Sequence, residues 1–117
     1  MGNVDPSAQC EPGVQCAADC IIGAGVKIRS SSIFGVGVNV GVYTSFGERV
    51  VVRHGAVIKA RCCIDSGVAI PAGAHINEYE HVGLNADGSY YIDPADPQNS
   101  YRYRWDNKLK KCTKGLR

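Results

Sequence analysis

The sequence predicts an all-β protein, a short parallel β-helix over residues 4–82 followed by a non-repeating tail over 83–117. Three observations carry this. Every sixth residue from Val4 to Val82 is apolar: Val4, Cys10, Cys16, Ile22, Ile28, Phe34, Val40, Phe46, Val52, Ile58, Ile64, Ile70, Ile76 and Val82, fourteen positions without a gap. At 44% apolar composition, chance would produce such a run about once in 10⁵ trials in a given phase. A second column stands four residues on, from Ala8 through Val26, Val38 and Val50 to Glu80, and twelve of its thirteen members are small or β-branched. Glycine often follows the large residue, as at Gly23, Gly35, Gly41 and Gly47.

Two inward residues in six, separated by four and then two, fit short strands of alternating side chains joined by tight turns. The large residue fills the interior and the small one fits where neighbouring walls converge. Glycine and short polar residues permit the turns. One rung cannot bury its apolar side alone, so stability must come from stacking.

The 117 residues fit one domain. Net charge is +2, which gives no general case for nucleic acid or membrane surfaces. The charge is unevenly placed. Residues 1–82 hold six Lys/Arg against seven Asp/Glu, whereas residues 83–117 hold seven against four, all seven at or after Arg102. No apolar run reaches the ~18 residues of a membrane span. Met1-Gly2-Asn3-Val4-Asp5 has neither the basic start nor the apolar run of an export signal, so a cytoplasmic location is expected. Six cysteines in such a chain point to reduced thiols rather than a disulfide framework, and none lies in a Cys-x-x-Cys pair. Cys10, Cys16, Cys20 and Cys62 fall on inward columns, where cysteine serves as a small hydrophobe. Cys63 points the other way and Cys112 lies in the tail.

The pattern resembles the hexapeptide-repeat proteins, which implies a left-handed β-helix with three hexads per coil. Residues eighteen apart would then stack, giving the columns Val4/Ile22/Val40/Ile58/Ile76, Cys10/Ile28/Phe46/Ile64/Val82 and Cys16/Phe34/Val52/Ile70. A closer resemblance lies in Ser31-Ser32-Ile33-Phe34 before Val38-Asn39-Val40, and in Ile64-Asp65 before Ile70-Pro71-Ala72-Gly73-Ala74-His75-Ile76. These resemble the C-terminal β-helix of bacterial glucose-1-phosphate adenylyltransferase, over about residues 19–80. In that family the chemistry belongs to a separate nucleotidyltransferase domain with a glycine-rich phosphate loop, and no such loop precedes the repeats here. The resemblance therefore implies a non-catalytic module for assembly and regulation. Its partners would be copies of itself or a nucleotidyltransferase domain, and its outward valines Val36, Val42, Val51 and Val57 would make the contact. No cofactor is expected.

Hexapeptide acyltransferases offer the alternative: trimeric enzymes with a histidine general base in a cleft between subunits. Their interrupting loop is missing here, and His54, beside Arg53 on an outward edge, is the candidate base. A carbonic-anhydrase-like zinc site would need three convergent histidines. His75 and His81 are six apart and belong on successive faces, so no metal site is expected and the histidines are read as solvated.

In the tail, Asn85-Ala86-Asp87-Gly88 marks a turn and Ser89-Tyr90-Tyr91-Ile92 a returning strand. Asp93-Pro94-Ala95-Asp96-Pro97 breaks regular structure. Tyr101-Arg102-Tyr103-Arg104-Trp105 reads as a strand, turning at Asp106-Asn107 into Lys108-Leu109-Lys110-Lys111-Cys112. The tail is expected to cap the open end of the β-helix or to serve as an interaction segment. Its cations Arg102, Arg104, Lys108, Lys110 and Lys111 are the candidates for binding a phosphorylated effector, ahead of nucleic acid.

Overall fold

The computed structural model describes residues 3–93 and 103–114; the side chains of Asp93, Tyr103, Arg104 and Lys114 are not described. The described chain has no helix, and so none long and apolar enough to cross a membrane. The first coil is β1 (Asn3–Val4), β2 (Gln9–Cys10) and β3 (Gln15–Cys16). The second is β4 (Ile21–Ile22), β5 (Lys27–Ile28) and β6 (Ile33–Phe34), and the third β7 (Asn39–Val40), β8 (Ser45–Phe46) and β9 (Val51–Val52). The fourth is β10 (Val57–Ile58), β11 (Cys63–Ile64) and β12 (Ala69–Ile70). Then β13 (His75–Ile76) and β14 (His81–Leu84) start a fifth. Each strand pairs in parallel with the strand eighteen residues away, as Val4 with Ile22 and Phe34 with Val52. Three faces result: β1-β4-β7-β10-β13, β2-β5-β8-β11-β14 and β3-β6-β9-β12. These are the three columns that the resemblance to hexapeptide-repeat proteins implies. They make a parallel β-helix of about four coils.

The core is the inside of this prism. Ile22, Ile28, Phe34, Val40, Phe46, Val52, Ile58, Ile70, Ile76 and Val82 are buried, with Cys20, Val26, Val38, Val50, Ala56, Cys62 and Val68 in the second column. Phe34 and Phe46 meet edge to face at 4.9 Å, a geometry that adds about 0.5–1.5 kcal/mol beyond area burial. Two hydroxyls share this interior. Ser32 Oγ donates to the Gly47 carbonyl at 3.1 Å and accepts from the Val50 amide at 3.1 Å. Thr44 Oγ1 does the same with Lys59 O and the Cys62 amide. Each therefore stitches one coil to the next and leaves no buried polar atom unmet.

The turns divide the work of glycine. The third residue after each large apolar position has positive φ, from Gly13 through Tyr79 without a break. Together with the turn hydrogen bonds Val14 N to Glu11 O and Ala74 N to Pro71 O, this is the signature of type II turns. Glycine fills half of these twelve sites; Asp19, Ser31, Tyr43, Arg49, Arg61 and Tyr79 fill the rest. The glycines directly after the large residue serve another purpose. A Cβ on Gly41 would lie 2.5 Å from the Ala60 amide nitrogen, so the side chain is absent to let coils approach.

The tail begins as expected. Gly88 N bonds Asn85 O, and β15 (Tyr90–Asp93) returns antiparallel along β14. It closes the second face only. The segment Pro94-Ala95-Asp96-Pro97, together with Tyr101 and Arg102, lies outside the described residues. The final hairpin, β16 (Tyr103–Asp106) and β17 (Lys111–Lys114), does not extend a β-helix sheet. It rests on the flank of the β-helix, beside the corner that carries Tyr43, Arg61 and Tyr79.

Candidate functional site

The third face carries the candidate site. Its outward residues mix apolar and polar side chains: Gln15, Ile33 and Val51 on the strands, then Ala17, Gly35 and Arg53, with Val36 and His54 at the corner beyond. They line a shallow groove of about 470 Å³. Ile33 is 44% exposed and Val36 53% exposed. The second face is its opposite. There Arg29 sits 4.0 Å from Glu11 and 3.7 Å from Glu48, and Arg49 lies 3.7 Å from Glu48. Such exposed pairs add little stability but keep that face solvated.

The four outward valines do not form one row. Val36 and Val51 belong to the groove with Ile33, whereas Val57 stands on the first face and Val42 at the corner between the first and second faces. The sequence places all four outward, but outward in a triangular prism means three directions. Ile33, which completes the groove, is found by stepping back eighteen residues from Val51.

His54 sits at the rim of the groove, exposed, with its backbone carbonyl accepting from Gly73 N. Among the described residues no carboxylate pairs with its ring, so nothing here orients it as a base. His75 is exposed on the first face. His81 departs from the solvated reading: it is only 6% exposed. Its Nε2 lies 3.0 Å from Asp65 Oδ2, and the Tyr91 ring from β15 meets it edge-on at 6.0 Å. The returning strand buries it. Among the described residues no three His, Cys, Asp or Glu side chains converge as metal ligands.

The cysteines need one correction. Cys63 and Cys112 form a disulfide, where six reduced thiols are expected from the sequence. No spacing rule links residues 49 apart; the pair exists because the tail folds back over the outward side of β11. The other four are free, and they grade along the stack from exposed Cys10 to buried Cys20 and Cys62. Burial pushes the Cys10 thiol up, and it pushes Cys16 up with help from Cys10. Burial likewise takes Cys20 and Cys62 to about 12. None of these environments favours the thiolate.

Of the tail cations, Arg102 lies outside the described residues and Arg104 belongs to β16. Lys108, Lys110 and Lys111 are exposed around the hairpin turn, which Asp106 Oδ1 holds by accepting from the Lys108 and Leu109 amides. Lys108 and Lys110 stand in the turn itself and Lys111 opens β17.

Glu80 is the exception to the small second column, and the structure explains it. Its Oε1 accepts from the Asn77 amide at 2.7 Å, near the top of the stack. No family model matches the chain, and no curated protein does either.

Proposed function

We propose that this protein is a non-catalytic assembly and regulatory module, related to the C-terminal β-helix of glucose-1-phosphate adenylyltransferase. The observation that supports it is the groove of Ile33, Val36 and Val51, an apolar strip on the third face where the second face carries ion pairs. An apolar strip on a rigid face is the usual mark of a docking surface. Its occupant is a second copy of the chain or a nucleotidyltransferase domain. The four free thiols fit a cytoplasmic setting, and Lys108, Lys110 and Lys111 would take a phosphorylated effector at the far corner. Light scattering on a sizing column tests the reading. Wild type should self-associate, or bind an added nucleotidyltransferase domain, and Ile33→Asp with Val36→Asp should abolish that. A wild-type chain that stays monomeric and ignores the domain would end the proposal.

His54 at the rim of the same groove supports a second reading, a trimeric acyltransferase whose base faces a neighbouring subunit. Acetyl transfer from acetyl-CoA, lost in His54→Ala while the trimer persists, is its expected result. No turnover in a confirmed trimer would exclude it.

A further inference from the structure

The hairpin β16–β17 is fastened to the body at few points. No sheet hydrogen bonds join it to the β-helix among the described residues. A lone two-stranded hairpin is marginal in water. Among the described residues, three side-chain attachments hold it. The Trp105 ring lies 5.7 Å from Tyr43. Asn107 exchanges hydrogen bonds with the Tyr79 hydroxyl at 2.9 and 3.1 Å and also accepts from Trp105 Nε1. The third is the Cys63–Cys112 bond.

What lies beneath is ordered. Tyr43, Arg61 and Tyr79 stack eighteen residues apart at one corner, each at a positive-φ turn site. The Arg61 guanidinium sits 5.5 Å over the Tyr43 ring and 3.5 Å from Glu78. Trp105, 8% exposed, is the part of the hairpin that this corner buries.

The distribution of cysteines bears on the role of the bond. A disulfide framework pairs its cysteines throughout a fold. Here one bond stands at the joint between body and tail, while Cys10, Cys16, Cys20 and Cys62 remain thiols. Cys62, next to Cys63, is buried and donates to the Asn77 and Lys59 carbonyls, so it is not placed to exchange with its neighbour.

We propose that Cys63–Cys112 is a redox latch: oxidised, it straps the hairpin over the Tyr43–Arg61–Tyr79 corner, and reduction by a dithiol frees the hairpin and uncovers that corner. The chemistry is ordinary thiol–disulfide exchange. A reductant thiolate attacks Cys112 Sγ, the more accessible sulfur, because Cys63 is 1% exposed. The Cys63 sulfur leaves as a thiolate and takes a proton. The reductant's second thiol then displaces Cys112, so two electrons and two protons pass to the protein and the reductant becomes a disulfide.

Trp105 is the single tryptophan of the chain, so its emission reads the hairpin alone. The full-length protein is oxidised with oxidised glutathione, then treated with dithiothreitol, and thiols are counted at each stage. The expected result is two more thiols on reduction and a red shift of Trp105 emission toward that of the denatured chain. The β-sheet circular dichroism and the cooperative melt of the body should stay in place. Cys112→Ser should show the shifted emission without reductant. Unchanged emission with both thiols freed would overturn the latch, since the aromatic contact would then hold the hairpin alone. Loss of the body's dichroism together with the shift would overturn it too, making the bond a staple of the whole fold. Six free thiols after oxidation would show that the bond does not form.

Discussion

At the C-terminal end of the stack, Tyr91 lies over His81, β15 pairs along β14, and Glu80 accepts an amide hydrogen bond from its own rung. At the N-terminal end, β1, β2 and β3 are the outermost strands of their sheets among the described residues. Cys10 is exposed there, and Val4, Ala8, Val14 and Cys16 are only partly covered. The same hexad thus gives a sealed interior within the stack and at its C-terminal end, and a half-open one in the first coil. Burial in this fold depends on a residue's neighbours in the stack and not on its own identity. The closed end is finished by residues that break the repeat.

The sharpest way to break this comparison is to make the same kind of cut in the middle and at the open end. Phe34→Ala should cost about 3–5 kcal/mol, because the cavity lies between coils that cannot collapse. Cys10→Ala should cost under about 0.5 kcal/mol. Urea unfolding followed by circular dichroism would read both, and equal losses would mean that the stack does not seal the core. Next is close approach against turn geometry. Gly41→Ala forces a methyl onto the Ala60 backbone and should cost roughly 1–3 kcal/mol. Gly73→Ala meets nothing within 4 Å and bears only its φ of +71°, about 1 kcal/mol. A larger loss at Gly73 would reverse the assignment of the two glycine roles.

At the closed end, Glu80→Ala leaves the Asn77 amide without its acceptor and should lower stability by about 1 kcal/mol, also in the urea titration. A separate effect appears in alkali. Cys20 and Cys62 ionise near 12 in the fold against an ordinary 9.0, so folding favours their neutral form. Their contribution is therefore constant below about pH 9 and is lost as pH rises toward 12. A thiol reagent at neutral pH should label Cys10 first and Cys20 and Cys62 last. Equal labelling rates would show that both ends are equally open.

The interior positions are legible in the sequence, because each large residue repeats one physical demand every six positions; their eighteen-residue register follows from the resemblance to hexapeptide-repeat proteins and not from the spacing. The returning strand is legible for the same kind of reason, a turn signal before Tyr90-Tyr91-Ile92. The positive-φ series is visible only in part: Gly13, Gly25 and Gly37 and then Gly55, Gly67 and Gly73 keep the period, while Tyr43, Arg49 and Arg61 hide it. A tyrosine or arginine in the left-handed region carries no mark in the sequence, since tertiary contacts hold it there. The burial of His81 and the pairing of Cys63 with Cys112 depend on how the tail folds back, and no periodicity encodes that. The groove was half visible. Val36 and Val51 stand out as exposed valines, but only the assignment of residues to faces separates them from Val42 and Val57.

No loop interrupts the hexads between Val4 and Val82, and this makes residue number an angular coordinate. Each six residues turn the chain by one face, and each eighteen raise it by one strand spacing, about 4.8 Å. Excising eighteen residues from the middle of the body would leave a shorter prism with every column in phase. Excising six between Ile64 and Val82 would swing the tail onto the neighbouring face and carry Cys112 away from Cys63. The protein is in this sense a dial as well as a ruler: its length and the bearing of its tail are both set by counting, and only one count in three brings the two cysteines to the same side.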